Sequence, residues 1–207
     1  MIPQFPKFKK LELLDKEDVE KFTRQFVPSS DFNFMGAWSY DVKEERQVSQ
    51  LNGNLVMKFT DYITNEPFYS FLGNTEVNDT AKKLIELSIK EELVPKLKLL
   101  PENSIEGLDT NIFKIEEDRD NFDYVYGVEK IKSYKGNKMR SKKNLVNRFI
   151  KDNSSYITKI INPRSSDNIK QINDMFEVWR INKEFSELEI CNEFLALQRI
   201  FKIAEKY

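Results

Sequence analysis

The Asn52-Gly53 dipeptide limits the fold of this 207-residue chain more than any other feature, because it separates two segments of strand-forming residues, 47–51 and 54–59. Asn-Gly suits the positive φ angles of a two-residue hairpin turn. We therefore expect two antiparallel strands here. A third strand is expected at 68–72, where Gly73 ends an aromatic run. A helical bundle is thereby excluded.

Helical and strand-like patterns alternate around this hairpin. Before the hairpin we expect a strand at 11–14, a helix after Asp15 with Val19, Phe22 and Phe26 inward, and a short helix that carries Phe32, Met35 and Trp38 and is capped from 28–31. After the third strand we expect a helix from Asp79-Thr80 to Leu93 and a short helix around Ile105. Further strands are expected at 96–100, 113–115 and 123–126. This order predicts an α/β (α+β) fold with a mixed, largely antiparallel sheet flanked by helices.

The character of the chain changes after Gly136, and a small unit begins again after residue 152. We expect a helix over 139–152, a strand at 156–161, a helix capped by Asp167 and a last helix over 187–207. This indicates a first domain at 1–152 and an incomplete second unit at 153–207. The second unit lacks strands to cover its aromatic side chains, Phe176, Trp179, Phe194 and Phe201. A second copy or a partner chain is expected to cover the helices of 169–207.

Two absences exclude much chemistry. The sequence has no histidine and one cysteine, Cys191. Catalytic triads, Cys-His dyads and histidine metal sites are therefore ruled out, and no disulfide or thiolate cluster can form within the chain. We predict no metal site and a buried structural thiol at Cys191.

The charges are balanced over the whole chain, with 33 Lys and Arg against 34 Asp and Glu. Attraction to nucleic acid or an anionic membrane must therefore be local. No apolar run approaches the roughly 18 residues of a membrane-spanning helix. A soluble, cytoplasmic protein is expected.

One segment is strongly basic: 130–151 holds nine Lys and Arg residues and no acidic residue. The phosphate-binding candidates within it are Lys138, Arg140, Lys142, Lys143, Asn144 and Arg148. An acidic cluster precedes it, comprising Glu116, Glu117, Asp118, Asp120 and Asp123. The alternative is that the basic segment is a solvated face, partly neutralised by these acids.

Three segments carry a resemblance to a known family. They are 30–34 with its Ser-Asp-Phe start, 118–126 with its Asp-Tyr-Val-Tyr end, and 136–149, which is similar to a GKK-x-x-KKN-x-x-x-RF stretch. These segments resemble the bacterial proteins related to the C-terminal domain of phosphatidylglycerol lysyltransferase, from about Leu11 onward. Met139 and Arg140 stand where the family often has an aromatic residue and a histidine.

The resemblance implies a tandem pair of GNAT-like (N-acetyltransferase-like) folds and an acyl or aminoacyl transferase. No cofactor is expected to stay bound, and the donor would be an acyl-CoA or an aminoacyl-tRNA, with tRNA as a partner. None of the six glycines forms the loop that holds a CoA pyrophosphate. Asp123, Tyr124 and Tyr126 are the expected cleft-lining residues, and carboxylates, tyrosines or water would move protons.

Two other hypotheses stay open. The chain is a non-catalytic module that binds RNA or another anionic ligand through 130–151, with Tyr134 for stacking. Or it is an inactive relative, or half of a complete enzyme, whose apolar helices require a partner.

Overall fold

The computed structural model describes residues 1–62, 64–183 and 187–204. Its sheet has four strands in the order β1-β2-β3-β4, at Lys9–Lys10, Gln47–Leu51, Asn54–Thr60 and Pro67–Leu72. All three pairings are antiparallel. The sheet is therefore a simple meander, and the α+β class is confirmed. A parallel arrangement occurs only as an isolated bridge between Gln4 and Gln50 among the described residues.

The predicted hairpin is confirmed. Leu51 pairs with Asn54, and the turn residues Asn52 and Gly53 have φ angles of 53° and 77°. The predicted third strand is confirmed as β4, one residue longer at its start. Positive φ at both turn positions gives the hairpin the twist that its strands require.

The sheet is buried on both faces, which explains the nearly continuous apolar run of β3. One face packs Leu55, Met57 and Phe59 against the N-terminal residues and the first two helices. The other packs Val56, Tyr69 and Phe71 against a later helix. Because successive strand residues point to opposite faces, a strand between two cores shows no polar alternation.

Helices cover the two faces separately. On the first face lie α1 (Lys16–Thr23), with Val19 buried, and α2 (Phe34–Ser39), with Phe34 buried. On the second lies α3 (Val77–Lys90), followed by the short α4 (Glu102–Ile105). α2 is capped by Asn33, whose side chain accepts a hydrogen bond from the Gly36 N–H, and not from 28–31 as predicted. α3 begins two residues before the predicted Asp79.

The strand predicted over 11–14 is wrong. β1 ends at Lys10, and Leu13–Asp15 forms a 3-10 helix. The cause is local: the Asp15 carboxylate accepts hydrogen bonds from the Glu12 N–H at 3.0 Å and from the Lys9 ammonium at 2.7 Å. These bonds turn the chain into α1.

The strands predicted at 96–100 and 113–115 are also wrong, because both segments are irregular. The first runs beside β4 but makes one backbone bond to it, from the Lys98 N–H to the Tyr69 carbonyl at 3.3 Å. Leu99 has a φ of 57°, which breaks the extended conformation. Leu97 and Leu100 still pack against the second core, so the apolar pattern marks burial without pairing.

The later half is helical, with α5 at Val128–Ser133, α6 at Arg140–Asp152, α7 at Ser166–Ile181 and α8 at Glu187–Ala204. The three longer helices match the predictions, with Ser165 instead of Asp167 at the N-cap of α7. The predicted extension of the last helix over 205–207 lies outside the described residues. The strands predicted at 123–126 and 156–161 are wrong: both segments lack a pairing partner in the described parts of the chain.

The last helix, α8, returns to α2, and α7 packs on α8. Phe176 of α7 lies 5.5 Å from Phe194 of α8, measured between ring centroids. α8 packs on α2, where the Arg199 guanidinium lies 4.4 Å above the Trp38 ring and the Tyr40 hydroxyl donates to Glu193 at 2.7 Å. Contacts thus cross the predicted boundary at 152/153, and the domain division stays a prediction.

Candidate functional site

The basic segment forms a helix that stands in solvent. The six phosphate-binding candidates, Lys138, Arg140, Lys142, Lys143, Asn144 and Arg148, are all exposed, and so is every other residue of α6. Five of the candidates lie on α6, and Lys138 lies just before it in a 3-10 helix at Asn137–Met139, so the structure brings them close in the chain without enclosing them.

The helix divides the candidates into two sets. At 3.6 residues per turn, Arg140, Lys143, Asn144 and Arg148 fall on one side, within an arc of about 140°. Lys142 falls on the opposite side, among Leu145, Val146, Phe149 and Ile150. We call these the basic face and the apolar face of α6. Lys142 and Lys143, adjacent in sequence, therefore belong to different surfaces.

The basic face keeps most of its charge. Arg148 forms an ion pair with Asp152, Nε to Oδ2 3.7 Å, but within the described residues Arg140 and Lys143 form none, nor does Lys142 on the apolar face. In the acidic cluster, Glu116 pairs with Lys96 and Lys114 instead. Within the described chain, the acidic cluster therefore forms no ion pairs with the basic residues of α6.

The predicted cleft-lining tyrosines lie on an open surface. Tyr124 is 87% exposed and Tyr126 is 60% exposed. Their rings are parallel to within 7°, with centroids 6.5 Å apart. They form a platform at the surface, and an enclosed cleft around them stays a prediction.

Asp123 connects this platform to the first core. Its Oδ2 accepts a hydrogen bond from the Ser30 N–H at 3.0 Å, across 93 positions of sequence. Hydrogen bonds from the Ser30 side chain and backbone lower the pKa of the Asp123 carboxyl. The Ser-Asp-Phe and Asp-Tyr-Val-Tyr segments therefore meet in space.

Asp31 shares this meeting point. Burial raises the pKa of its carboxyl, and the negative charge of Asp123 raises it further, while Arg46 acts in the opposite direction. A carboxyl with a raised pKa holds a proton more readily than an ordinary aspartate, as a group that relays protons requires. Asp31 was not among the predicted site residues, although it belongs to a segment quoted for the resemblance.

The Arg46 side chain lies near Asp31. Its guanidinium donates to the Ala37 carbonyl and lies 4.7 Å above the Phe59 ring. Burial lowers the pKa of this guanidinium, and the Asp41 and Asp31 carboxylates oppose the shift. Sequence reasoning missed Arg46, because nothing in its neighbourhood distinguishes it from a surface arginine.

Other chemistry finds less support. No group of three potential metal ligands occurs in the described residues. Cys191 is exposed, so the predicted buried thiol is wrong; it lines an open groove of about 330 Å³ between α7 and α8, beside Phe176 and Phe194. None of the helices described is long and apolar enough to cross a membrane.

Fold and surface together define an α+β protein with an antiparallel meander, an exposed basic helix and a carboxyl pair at the sheet's first face. The chain belongs to the family of the phosphatidylglycerol lysyltransferase C-terminal domain, whose model matches residues 37–202. The suspected family is thereby confirmed. The tandem GNAT-like arrangement stays a prediction.

A solved structure shares the fold. The chain is similar to a conserved protein of unknown function from Bacteroides thetaiotaomicron VPI-5482, with a TM-score of 0.73 and 24% identity, over 99% of this chain and 69% of that one. At this identity the likeness shows the fold alone. Among curated proteins no match was found.

Proposed function

We propose that this chain takes part in aminoacyl transfer by holding the RNA that carries the donor, with the basic face of α6 on the phosphates. One observation carries the proposal: Arg140 and Lys143 project from one side of an exposed helix without ion pairs in the described chain. The family relationship to a lysyltransferase supports it.

The shape of the surface favours a long polyanion over a small nucleotide. α6 has 13 residues and is therefore about 20 Å long. A CoA pyrophosphate is bound in an enclosed glycine-bearing loop, whereas nucleic-acid phosphates lie along open basic surfaces. Asn144 and Asn147 supply hydrogen-bond donors on the same face. The basic face thus matches the backbone of an RNA.

The tyrosine platform fits the same ligand. Two exposed, nearly parallel rings offer flat faces on which a base can stack. Single-stranded RNA is commonly bound by stacking unpaired bases on exposed aromatic rings. The unpaired end of a charged tRNA, which bears the aminoacyl ester, offers such bases.

The carboxyl pair supplies a proton acceptor for the transfer. An acceptor hydroxyl or amine attacks the ester carbonyl carbon, the new bond forms, and the ester bond to the ribose oxygen breaks. The proton of the attacking group passes to the leaving oxygen. Asp31 is the carboxyl with a raised pKa among the described residues, so we assign it the relay of this proton.

The test is RNA binding by fluorescence anisotropy with charged tRNA, uncharged tRNA and CoA. Lys143→Gln and Lys142→Gln form a matched pair, because they are adjacent and remove the same charge at positions about 100° apart around the helix, one on the basic face and one on the apolar face. We expect Lys143→Gln to weaken RNA binding several-fold and to lower the salt slope by about 1, with little change for Lys142→Gln.

Equal effects of the two variants would contradict the assignment of the face. Binding of CoA without binding of RNA would mean that the donor is an acyl-CoA and not an aminoacyl-tRNA. Release of labelled amino acid from tRNA to an added amine, lost in Asp31→Asn but not in Asp18→Asn, would show turnover. RNA binding without turnover would leave a binding module.

A further inference from the structure

Arg46 carries a half-buried positive charge that forms no ion pair with a described residue. Its Nη1 donates to the Ala37 carbonyl, while the buried Nε has no hydrogen-bond partner in the described chain. The Asp41 carboxylate accepts instead from the backbone N–H groups of Glu45 at 2.9 Å and of Arg46 at 3.1 Å. A buried charge costs free energy unless other charges compensate it. Within the described residues the compensating charges, Asp41 and Asp31, act from beyond ion-pair distance.

Phe59 connects Arg46 to the loop that carries Asp31. The Arg46 guanidinium lies 4.7 Å from the centre of the Phe59 ring. The Phe32 ring meets the same ring edge-on, with centres 5.9 Å apart. Both phenylalanines are buried, and Phe32 follows Asp31 directly in the chain. Asp31 and Arg46 are therefore attached to one buried aromatic cluster.

Two charges of opposite sign act on the Asp31 carboxyl. Burial raises its pKa most, the negative charge of Asp123 raises it further, and the Arg46 guanidinium lowers it. Both charges are held in place, because Asp123 accepts from the Ser30 N–H at 3.0 Å and Asp41 accepts from the Arg46 N–H. Among the described residues, Arg46 is therefore the cation that opposes burial and Asp123 at this carboxyl.

We propose that Arg46 is a positioning residue for aminoacyl transfer, which acts through Asp31 and does not contact the substrate. This inference rests on the proposed function, in which Asp31 takes the proton of the attacking hydroxyl or amine and passes it to the leaving ribose oxygen. A carboxyl accepts that proton only in its ionised form, which burial and a neighbouring negative charge disfavour. The guanidinium favours the ionised form and so keeps Asp31 able to accept the proton.

NMR titration of the isotope-labelled Asp31 carboxyl in the whole chain tests this directly, with Asp31→Asn to assign the signal. Arg46→Gln should raise the midpoint of the titration and Asp123→Asn should lower it, whereas Arg46→Lys keeps the charge and should stay close to the parent. Arg24→Gln is the matched control, because it removes the same charge from a side chain that is 76% exposed just after α1. Circular dichroism and a cooperative melt establish which variants fold.

A second measurement leaves Arg46 unchanged and so does not depend on the folding of Arg46→Gln. In the parent chain, the signal of the Arg46 Nε–H should shift with the same midpoint as the Asp31 carboxyl. In Asp31→Asn this shift should disappear. A signal that does not respond to Asp31 overturns the proposal.

Release of labelled amino acid from charged tRNA, measured against pH, connects this charge to the reaction. The acidic limb of the profile should move to higher pH in Arg46→Gln and return in Arg46→Lys, whereas a purely structural defect would lower the rate equally at all pH values. An unchanged Asp31 midpoint in Arg46→Gln, with transfer intact, overturns the role of Arg46 and leaves the proposed function standing. A parent chain that releases no amino acid overturns both, whatever the midpoint.

Discussion

Residues 1–113 and residues 114–164 contain similar apolar runs but use them differently. In the first region, strands and helices bury Phe71, Leu55 and Val19 on the two faces of one sheet. In the second, every side chain is exposed except the half-buried Tyr134 and Met139. The difference shows that an apolar run folds into a strand only where a neighbour supplies the ladder hydrogen bonds.

Loss of a phenylalanine should have very different effects on stability in the two regions. Phe71→Ala should lower the free energy of unfolding by about 3–5 kcal/mol, because a fully buried ring leaves a cavity. Phe149→Ala should cost less than about 1 kcal/mol in dilute solution, since that ring is already in water. Denaturant titration of both variants measures this, and equal losses would mean that 114–164 is packed in solution.

The buried side-chain amide of Asn54 gives the next largest expected difference in stability between the two regions. The Asn54 side chain donates to the Thr75 carbonyl at 2.6 Å and to the Thr80 hydroxyl at 2.9 Å, and accepts from the Thr75 N–H at 3.1 Å. Asn54→Ala removes these bonds from the Thr75 carbonyl and N–H, while the Thr80 hydroxyl keeps its bond from Asn52, and should cost about 2 kcal/mol. Asn144→Ala on α6 should leave the melting temperature almost unchanged. A thermal melt with no loss in Asn54→Ala would show that water replaces the bonds.

The contact between α2 and α8 joins the later half of the chain to the core, so it should contribute to stability although it lies outside residues 1–113. Burial and the bond to Glu193 raise the pKa of Tyr40 from 10.0 to about 12. The folded state therefore holds this proton more tightly, and the stabilisation is complete below pH 10 and lost as the pH rises towards 12.

Tyr40→Phe should cost about 1 kcal/mol at neutral pH, since the pair is partly exposed, and should abolish that alkaline dependence. The measurement is unfolding at several pH values, with Tyr126→Phe as the control from the exposed region. If the free energy of unfolding of the wild type and of Tyr40→Phe changed in parallel above pH 10, the Tyr40–Glu193 hydrogen bond would not form in solution.

The smallest effect concerns Asp31 and Asp123, where the exposed region touches the core. The pKa of Asp31 is raised from 3.8, so its ionised form costs stability above that pKa and the cost disappears as the pH falls. Asp31→Asn should raise stability near pH 7 by about 0.5 kcal/mol, with no gain in acid.

The pKa of Asp123 is lowered, so its stabilisation is present at neutral pH and is lost as the pH falls through that pKa. Asp123→Asn should therefore change stability with the opposite sign. Acid titration of folding in the two variants tests the pair, and equal signs would contradict the opposite pKa shifts of the two carboxyls.

Much of the fold could be predicted from local patterns. The Asn52-Gly53 turn, the strand that follows Pro67, and the helical spacing of α6 and α7 depend on neighbouring residues and were predicted correctly. The strands at 96–100, 123–126 and 156–161 were not, because their partners cannot be read from their own residues. Among the site residues, the exposed lysines of α6 were found from charge, whereas Asp31 and Arg46 were missed.

By itself, the sequence determined the family, the hairpin and the two-sided charge pattern of α6, since each depends on residues close together in the chain. Only the tertiary structure decided that Ser30 meets Asp123, that α8 returns to α2, and that α6 is left open to solvent. These depend on which distant segments come together, because burial and hydrogen bonding are properties of pairs of segments and not of either alone.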